Sequence, residues 1–235
     1  MQAVILAGGL GTRLGALTRD MPKVMLPFKD RPFLYYIIRL LKEQGIKDIV
    51  MCTGYLGEQV KDFLGNGRGL GLNIKYSEES GELLGTGGAL KQAQDMLGGY
   101  FLVLNSDTFL PIDYREVEKE YLRLGRKALM VVYNNEVNTG VKNNIALDSN
   151  RMVVRFDKNS DAPDLRHVEA GAIVLQKEVL DSVPEEVKFS LEDGIYRRLI
   201  EQEELVAHIT GQRFYDIGTP EQQQVFQDFL EEGTR

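Results

Sequence analysis

The stretch LAGGLGTRL, residues 6–14, places three glycines, Gly8, Gly9 and Gly11, between a short apolar run and Arg13. Glycines following a strand let backbone amides approach a ligand closely, and converging amides favour a phosphate. A P-loop needs a Gly-Lys pair, which this stretch lacks. A dinucleotide loop needs a third glycine where Leu14 stands, and an acid at the end of the second strand where Cys52-Thr53-Gly54 stands. A nicotinamide enzyme is therefore a weak reading. The segment TRDMPKVMLP, residues 18–27, follows, and its Pro22 limits where Lys23 can point. Amides, a guanidinium and an ammonium would then reach one place. Arginine grips phosphate oxygens by a fork, and lysine acts as a point charge. The bland alternative is a surface loop with solvated cations.

The elements that must position these groups are legible in outline. Residues 3–7, 48–53, 72–77 and 100–104 read as buried strands. They alternate with helical spacing over 34–41, 56–64 and 86–97, and Gly45 supplies a stop. Such alternation argues for a parallel sheet covered by helices on both faces. Residues 128–133, 144–147, 152–156 and 168–175 then read as strands with few helices between them, a mixed or antiparallel extension of that sheet. Two helices close the chain. Ser190 with Asp193, and Thr219 with Gln222, resemble capping-box starts, and Pro220 suits the first helical position. The fold class is α/β: a Rossmann-like, mixed, mostly parallel central sheet with helices on both faces.

Composition bounds the function. The chain has 235 residues, a net charge of −7 and a pI near 5.1. An acidic surface disfavours nucleic acid and anionic lipid, so anion binding must be local. The single cysteine, Cys52, lies in an apolar stretch and reads as a reduced, buried thiol. No apolar run approaches the length of a membrane span, and nothing resembles a signal peptide. The expected location is cytoplasmic.

The ordered combination LAGGLGTRLGALTRDMPKVMLP resembles the signature of the sugar-1-phosphate nucleotidyltransferases, the pyrophosphorylases that make nucleotide sugars. LGTGGAL (84–90) resembles the family's nucleotide-base loop, and LNSDTF (104–109) its strand-end metal aspartate. VEAGAIVL resembles the sugar-binding strand, and FYDIGTPE (214–221) the late aspartate motif. The resemblance implies the nucleotide-diphospho-sugar transferase type of fold in one domain, 1–235. Residues 1–110 would be the nucleotide-binding half and 111–235 the sugar-phosphate half. It implies condensation of a nucleoside triphosphate with a sugar 1-phosphate, releasing pyrophosphate. Within the family, the set with LGTGGAL resembles members that use GTP and a heptose 1-phosphate.

Residue roles follow from the resemblance. Arg13 and Lys23 would be catalytic. Leu6, Gly8, Gly9, Gly11, Thr12, Gly85 and Thr86 would bind the nucleotide, with Gly87 beside them. Asn144, Lys158, Glu169 and Gly171 would bind the sugar phosphate. Asp107 and Asp216 would hold Mg²⁺, a hard cation suited to carboxylate and phosphate oxygens. Two departures fall in the sugar half. KNNIALD stands where relatives often carry Tyr-Gly-x-Val, with Asn143 at the glycine, and FDKNS stands for Phe-x-Glu-Lys. The expected partners are the two substrates, with neither nucleic acid nor membrane, and a homodimer is compatible with them. His167 and His208 each sit beside a strand pattern and read as structural. Other readings stay open: a uridylyl-, cytidylyl- or other nucleotidyltransferase on a different sugar 1-phosphate, or a non-catalytic nucleotide-sugar-binding protein of the same fold. A glycosyltransferase with an Asp-x-Asp motif is disfavoured, because Asn105-Ser106-Asp107 carries only the final acid.

Overall fold

The computed structural model describes residues 1–9, 11, 14, 15, 18–185 and 187–233. In chain order, β1 (Gln2–Ala7) precedes the small hairpin of β2 (Pro27–Phe28) and β3 (Arg31–Pro32). Helix α1 (Phe33–Glu43), strand β4 (Asp48–Thr53), helix α2 (Gly57–Leu64) and strand β5 (Asn73–Glu78) follow. Next come α3 (Gly85–Gln92), β6 (Tyr100–Asn105), β7 (Thr108–Phe109) and α4 (Tyr114–Leu124). The second half contains β8 (Ala128–Tyr133), β9 (Ile145–Leu147), β10 (Val153–Phe156) and β11 (Val168–Gln176). It closes with α5 (Arg197–Glu201), β12 (Leu205–Thr210), β13 (Tyr215–Asp216) and α6 (Pro220–Glu232).

Seven strands form one sheet in the order β12-β8-β11-β6-β1-β4-β5. Pairing is parallel except at β11, which runs antiparallel to both β6 and β8. The chain winds from β1 to β4 and β5 on one side, then crosses to β6 on the other. That reversal leaves a crevice beyond the carboxyl ends of β1 and β6, where open α/β sheets place their ligands.

Alternation along β1 shows why both faces are covered. Ala3, Ile5 and Ala7 pack into a core with Phe33, Leu34, Ile37 and Leu41 of α1 and Val117 of α4. Val4 points the other way, into a core with Ala89 and Leu90 of α3 and Leu199 of α5. Strands buried on both sides read as continuous apolar runs, which is what made them legible. The end of α1 is set by Gly45, whose φ of +78° lets Ile46 N donate back to Leu41 O.

Four features differ from the sequence reading. Strands β9 and β10 pair with each other in a separate hairpin and do not extend the sheet. Residues 114–124, where the sequence reading placed no element, form α4; Asp113 caps it, accepting from Arg115 N at 2.9 Å, and Gly125 ends it at φ +62°. Its buried face is only Tyr114, Val117 and Tyr121, too narrow a stripe to stand out. Strand β12 forms the sheet edge although its sequence, LVAHIT, is short and interrupted by His208. The helix expected over 86–97 stops at Gln92 and continues as a 3₁₀ turn over Gln94–Met96. Both proposed caps are formed: Ser190 Oγ accepts from Glu192 N and Asp193 N, and Thr219 Oγ1 accepts from Gln222 N. Ser190 opens a π-helical turn, Leu191–Tyr196, that runs into α5.

Among the described residues, no helix is long and apolar enough to cross a membrane. Helix α6 is anchored by Phe226, which is fully buried. Its ring lies 5.0 Å from Phe28, 4.9 Å from Phe33 and 5.5 Å from Phe109. Phe226→Ala is expected to cost about 3–5 kcal/mol in urea denaturation, the range for deleting a buried aromatic side chain. A loss below about 1 kcal/mol would show that α6 is not held by this cluster.

Candidate active site

One cleft of about 760 Å³ opens at the carboxyl ends of β1 and β6. Leu6, Gly8, Gly9, Gly11, Lys23, Gly85, Thr86, Asp107, Asn144, Lys158, Glu169, Gly171 and Asp216 all line it. Arg13 and Thr12 lie outside the described residues. Neither His167 nor His208 lines the cleft. His208 Nδ1 instead lies 2.5 Å from Glu120 Oε2, joining the sheet edge to α4.

The centre of the cleft is an ion-pair cluster. Lys23 Nζ donates to Asp107 Oδ2 at 2.6 Å and lies 4.0 Å from Asp216 Oδ1. The lysine side chain is only 11% exposed. Local sequence explains its pose: Pro22 is extended at ψ 144°, and a 3₁₀ turn over Lys23–Met25 buries Val24 as an anchor. Asp107 lies two residues beyond the end of β6 and immediately before β7. The two-residue ribbon of β7 and β13 pairs Thr108 with Asp216, and Ile217 N donates to Asp107 O at 3.1 Å. The ribbon thus sets the two aspartates side by side. Gly218 N also donates to Asp216 Oδ1, which fixes that carboxylate.

Among the described residues, no group of three or more His, Cys, Asp or Glu side chains could hold a metal by itself. Two adjacent carboxylates nevertheless suit a hard cation that takes its other ligands from phosphate or water. The donor set fits a divalent ion of that kind.

A second cluster lies farther along the cleft. Glu169 Oε1 accepts from Gly171 N at 3.1 Å, and Asn144 Oδ1 accepts from Glu169 N at 2.9 Å. Pairing between β11 and β8 shifts register between Glu169 and Ile173. Gly171 sits in that irregularity at φ +76°, and a Cβ there would lie 2.9 Å from Thr108 Cβ. Only glycine lets β11 bulge and the aspartate ribbon pack against it. Lys158 Nζ donates to Glu192 Oε1 at 2.5 Å. Burial opposes the Lys158 charge, but Glu169 and Glu192 hold its ammonium above the ordinary range.

The base-loop glycines behave unequally. Gly85 has φ +73°, and a Cβ on it would lie 2.9 Å from Phe189 O. Gly87 N and Gly88 N both donate to Phe189 O, at 2.9 and 3.2 Å. The Gly87 amide is therefore already paired within the protein. Thr86 Oγ1 accepts from Leu191 N at 2.9 Å, tying the loop to the π-helical turn. Glu79 and Glu192 also line the cleft and were not singled out from sequence. Neither sits in a recognisable spacing; the fold alone brings them in.

Burial is the main reason the Glu169 carboxyl is pushed up from 4.5 to about 7, with Lys158 opposing. A carboxyl raised on folding contributes stability that is complete below its unfolded value, and loses it as pH rises through the folded value. Wild type should therefore lose stability relative to Glu169→Gln between about pH 5 and about pH 8, followed by urea denaturation at both. A gap that does not change with pH would remove burial of the charge as the cause.

Comparison with known proteins agrees with this geometry. The nucleotidyl transferase family matches residues 2–232. The chain is 34% identical over 224 residues to D-glycero-alpha-D-manno-heptose 1-phosphate guanylyltransferase of Campylobacter jejuni, covering 94% of this chain and 96% of that one. It is 30% identical over 222 residues to the protein of the same name from Aneurinibacillus thermoaerophilus, covering 94% of each. Among solved structures, HddC from Yersinia pseudotuberculosis superposes with a TM-score of 0.84 at 27% identity, covering 97% of this chain and 99% of that one. The same protein complexed with GMP-PN gives a TM-score of 0.82 at 27% identity, with the same coverage. The chain belongs to the nucleotidyl transferase family and is a nucleotidyltransferase.

Proposed function

We propose that the chain condenses GTP with D-glycero-α-D-manno-heptose 1-phosphate to give the GDP-sugar and pyrophosphate. The observation that carries the reading is Lys23, held in the cleft between Asp107 and Asp216. The heptose and guanine assignments are supported by the names of the two relatives, which match nearly the whole chain.

The nucleophile is an oxygen of the sugar 1-phosphate. With a second pKa near ~6, as for phosphoserine, a phosphate monoester is mostly ionised at neutral pH and needs no general base. It attacks the α-phosphorus. The bond from that phosphorus to the bridging oxygen of the β-phosphate breaks, and pyrophosphate leaves with the electron pair. No proton must move at the reacting atoms. The difficulty is to bring two polyanions together and to hold the charge on the departing group, so positioning and cations do most of the work.

In this reading Lys23 lies beside the α-phosphate and neutralises charge that develops there. Arg13, assigned by resemblance, grips the triphosphate. Leu6, Gly8, Gly9, Gly11 and Thr12 supply the nucleotide cradle, with Gly85 and Thr86 at the base. Asn144, Lys158, Glu169 and Gly171 receive the sugar phosphate. Asp107 and Asp216 would hold Mg²⁺, which supplies Lewis-acid stabilisation and a template for phosphate oxygens when bound. Residues 1–110 serve the nucleotide and 111–235 the sugar phosphate. The reading includes a cytoplasmic location, in keeping with the buried thiol of Cys52, which burial pushes up to about 12.

Released pyrophosphate, measured over a matrix of nucleoside triphosphates and sugar 1-phosphates, tests the reading. The GTP and heptose 1-phosphate pair should give the highest kcat/KM, and a signal independent of any sugar phosphate would overturn it. Lys23→Ala should lower kcat by at least ~100-fold, the scale of losing one preorganised charge stabiliser. An effect confined to KM would leave Lys23 a binding residue only. Asp107→Ala should abolish turnover while the thermal melt stays cooperative. Normal turnover in that variant, with Mg²⁺ present, would remove Asp107 from the metal site.

A further inference from the structure

Gln222 stands three residues after Thr219, the cap of α6. A glutamine there ordinarily reaches back to the backbone N–H of the cap residue. Only half of that box is formed. Gln222 N donates to Thr219 Oγ1 at 3.3 Å, while Gln222 Oε1 is buried without a hydrogen-bond partner. Buried polar atoms left unpaired are rare in native proteins, and each calls for a physical reason. Among the described residues two other side-chain atoms share this state, His167 Nδ1 and Arg213 Nε, and neither residue lines the active-site cleft. Gln222 does line it.

Gly218 shows what the oxygen faces. A Cβ built on Gly218 would lie 2.6 Å from Asp216 Oδ1, 3.2 Å from Gln222 Oε1 and 3.3 Å from Lys23 Nζ. The three polar atoms therefore border one small space, and the missing side chain of Gly218 keeps it open. Oxygen is the favourable end of the amide to face an ammonium, since the reversed amide would turn two N–H donors toward it. Lys23 Nζ carries three donors on a flexible four-carbon stem, so it can change partner without moving the backbone. In the structure it donates to Asp107 Oδ2 at 2.6 Å and lies 4.0 Å from Asp216 Oδ1.

That pose of Lys23 conflicts with a metal on the same two aspartates. A divalent cation competes for the carboxylates and repels the ammonium. Lys23 must then give up Asp107, yet a charge so little exposed is costly to leave without an acceptor. We propose that Gln222 Oε1 is the second seat of the Lys23 ammonium, accepting from Nζ when a divalent cation occupies Asp107 and Asp216. Gln222 is then a positioning residue that acts through Lys23. This rests on the reading of Asp107 and Asp216 as the metal-holding pair. The competing role is a purely structural one, in which Gln222 serves only the first turn of α6. A structural role does not depend on Lys23, and that difference separates the two.

The test is a double-mutant cycle read by metal binding rather than turnover. Mn²⁺ alone is titrated into the full chain without nucleotide, and the free ion is counted by electron paramagnetic resonance. The proteins are wild type, Gln222→Met, Lys23→Ala, the double variant and Asp107→Ala, each checked for a cooperative thermal melt. Methionine keeps the length of glutamine and offers only a weak acceptor. Gln222→Met should weaken Mn²⁺ binding by at least ~10-fold, the scale of one hydrogen bond to a charged group. With Lys23→Ala already in place no ammonium has to move, and adding Gln222→Met should change the affinity by less than about 2-fold. An affinity unchanged by Gln222→Met in the presence of Lys23 overturns the proposal. So does an equal loss in both backgrounds, which would tie Gln222 to the metal or the helix and not to Lys23. Asp107→Ala keeps the two conclusions apart. Mn²⁺ binding lost in Asp107→Ala but untouched by Gln222→Met sinks only the role of Gln222. Binding that survives Asp107→Ala, or that is absent from wild type and Lys23→Ala alike, sinks the metal reading and the second seat with it.

Discussion

Two carboxylates cannot sit side by side in a half-enclosed cleft without a counter-charge, and Lys23 supplies it. Removing one member of such a cluster leaves charge without compensation, which is costlier than never having built it. The three residues come from a loop after β1, the end of β6, and a ribbon near the carboxyl terminus. Their meeting ties the first and last parts of the chain together. It also makes the site electrically adaptable. Under the proposed function, phosphate oxygens would draw on the ammonium and the two aspartates would hold a divalent cation, which their oxygens suit.

That cluster exists because a very small element is held by a large one. The ribbon of β7 and β13 has only two residues per strand. Alone it would have no stability. Tyr215 stacks on Phe229 at 4.2 Å, and Phe109 packs against Phe226. Helix α6 therefore clamps the ribbon from outside, and its own position is set by Phe28 and Phe33 below. Packing energy in an aromatic core is converted into the placement of two carboxylates.

The far end of the cleft uses a different device. An antiparallel strand, β11, is inserted between β6 and β8, and its bulge at Gly171 turns the Glu169 carboxylate back onto its own backbone. Lys158 and Glu192 arrive from a hairpin and a π-helical turn and form an alternating set of charges. Such a surface offers donors and acceptors in close succession. π-Helical turns recur at functional sites because they displace a side chain from the regular helical register.

The sequence by itself determined the parallel half of the sheet, the glycine spacing after β1, both helix caps and the identity of the paired aspartates. Each is a local signal: a continuous apolar run, a glycine spacing, a cap residue followed by its partner, or a motif whose residues are contiguous. Only the tertiary structure decided that β9 and β10 stand apart as a hairpin, because strand pairing is a long-range choice that an apolar pattern does not encode. It also decided that the Gly87 amide is consumed by Phe189, a residue remote in the chain. Helix α4 was obscured by a narrow apolar face, although Asp113 and Gly125 marked its ends. Glu79 and Glu192 carried no signal at all. A single carboxylate on a polar segment looks solvated until the fold wraps a cleft around it.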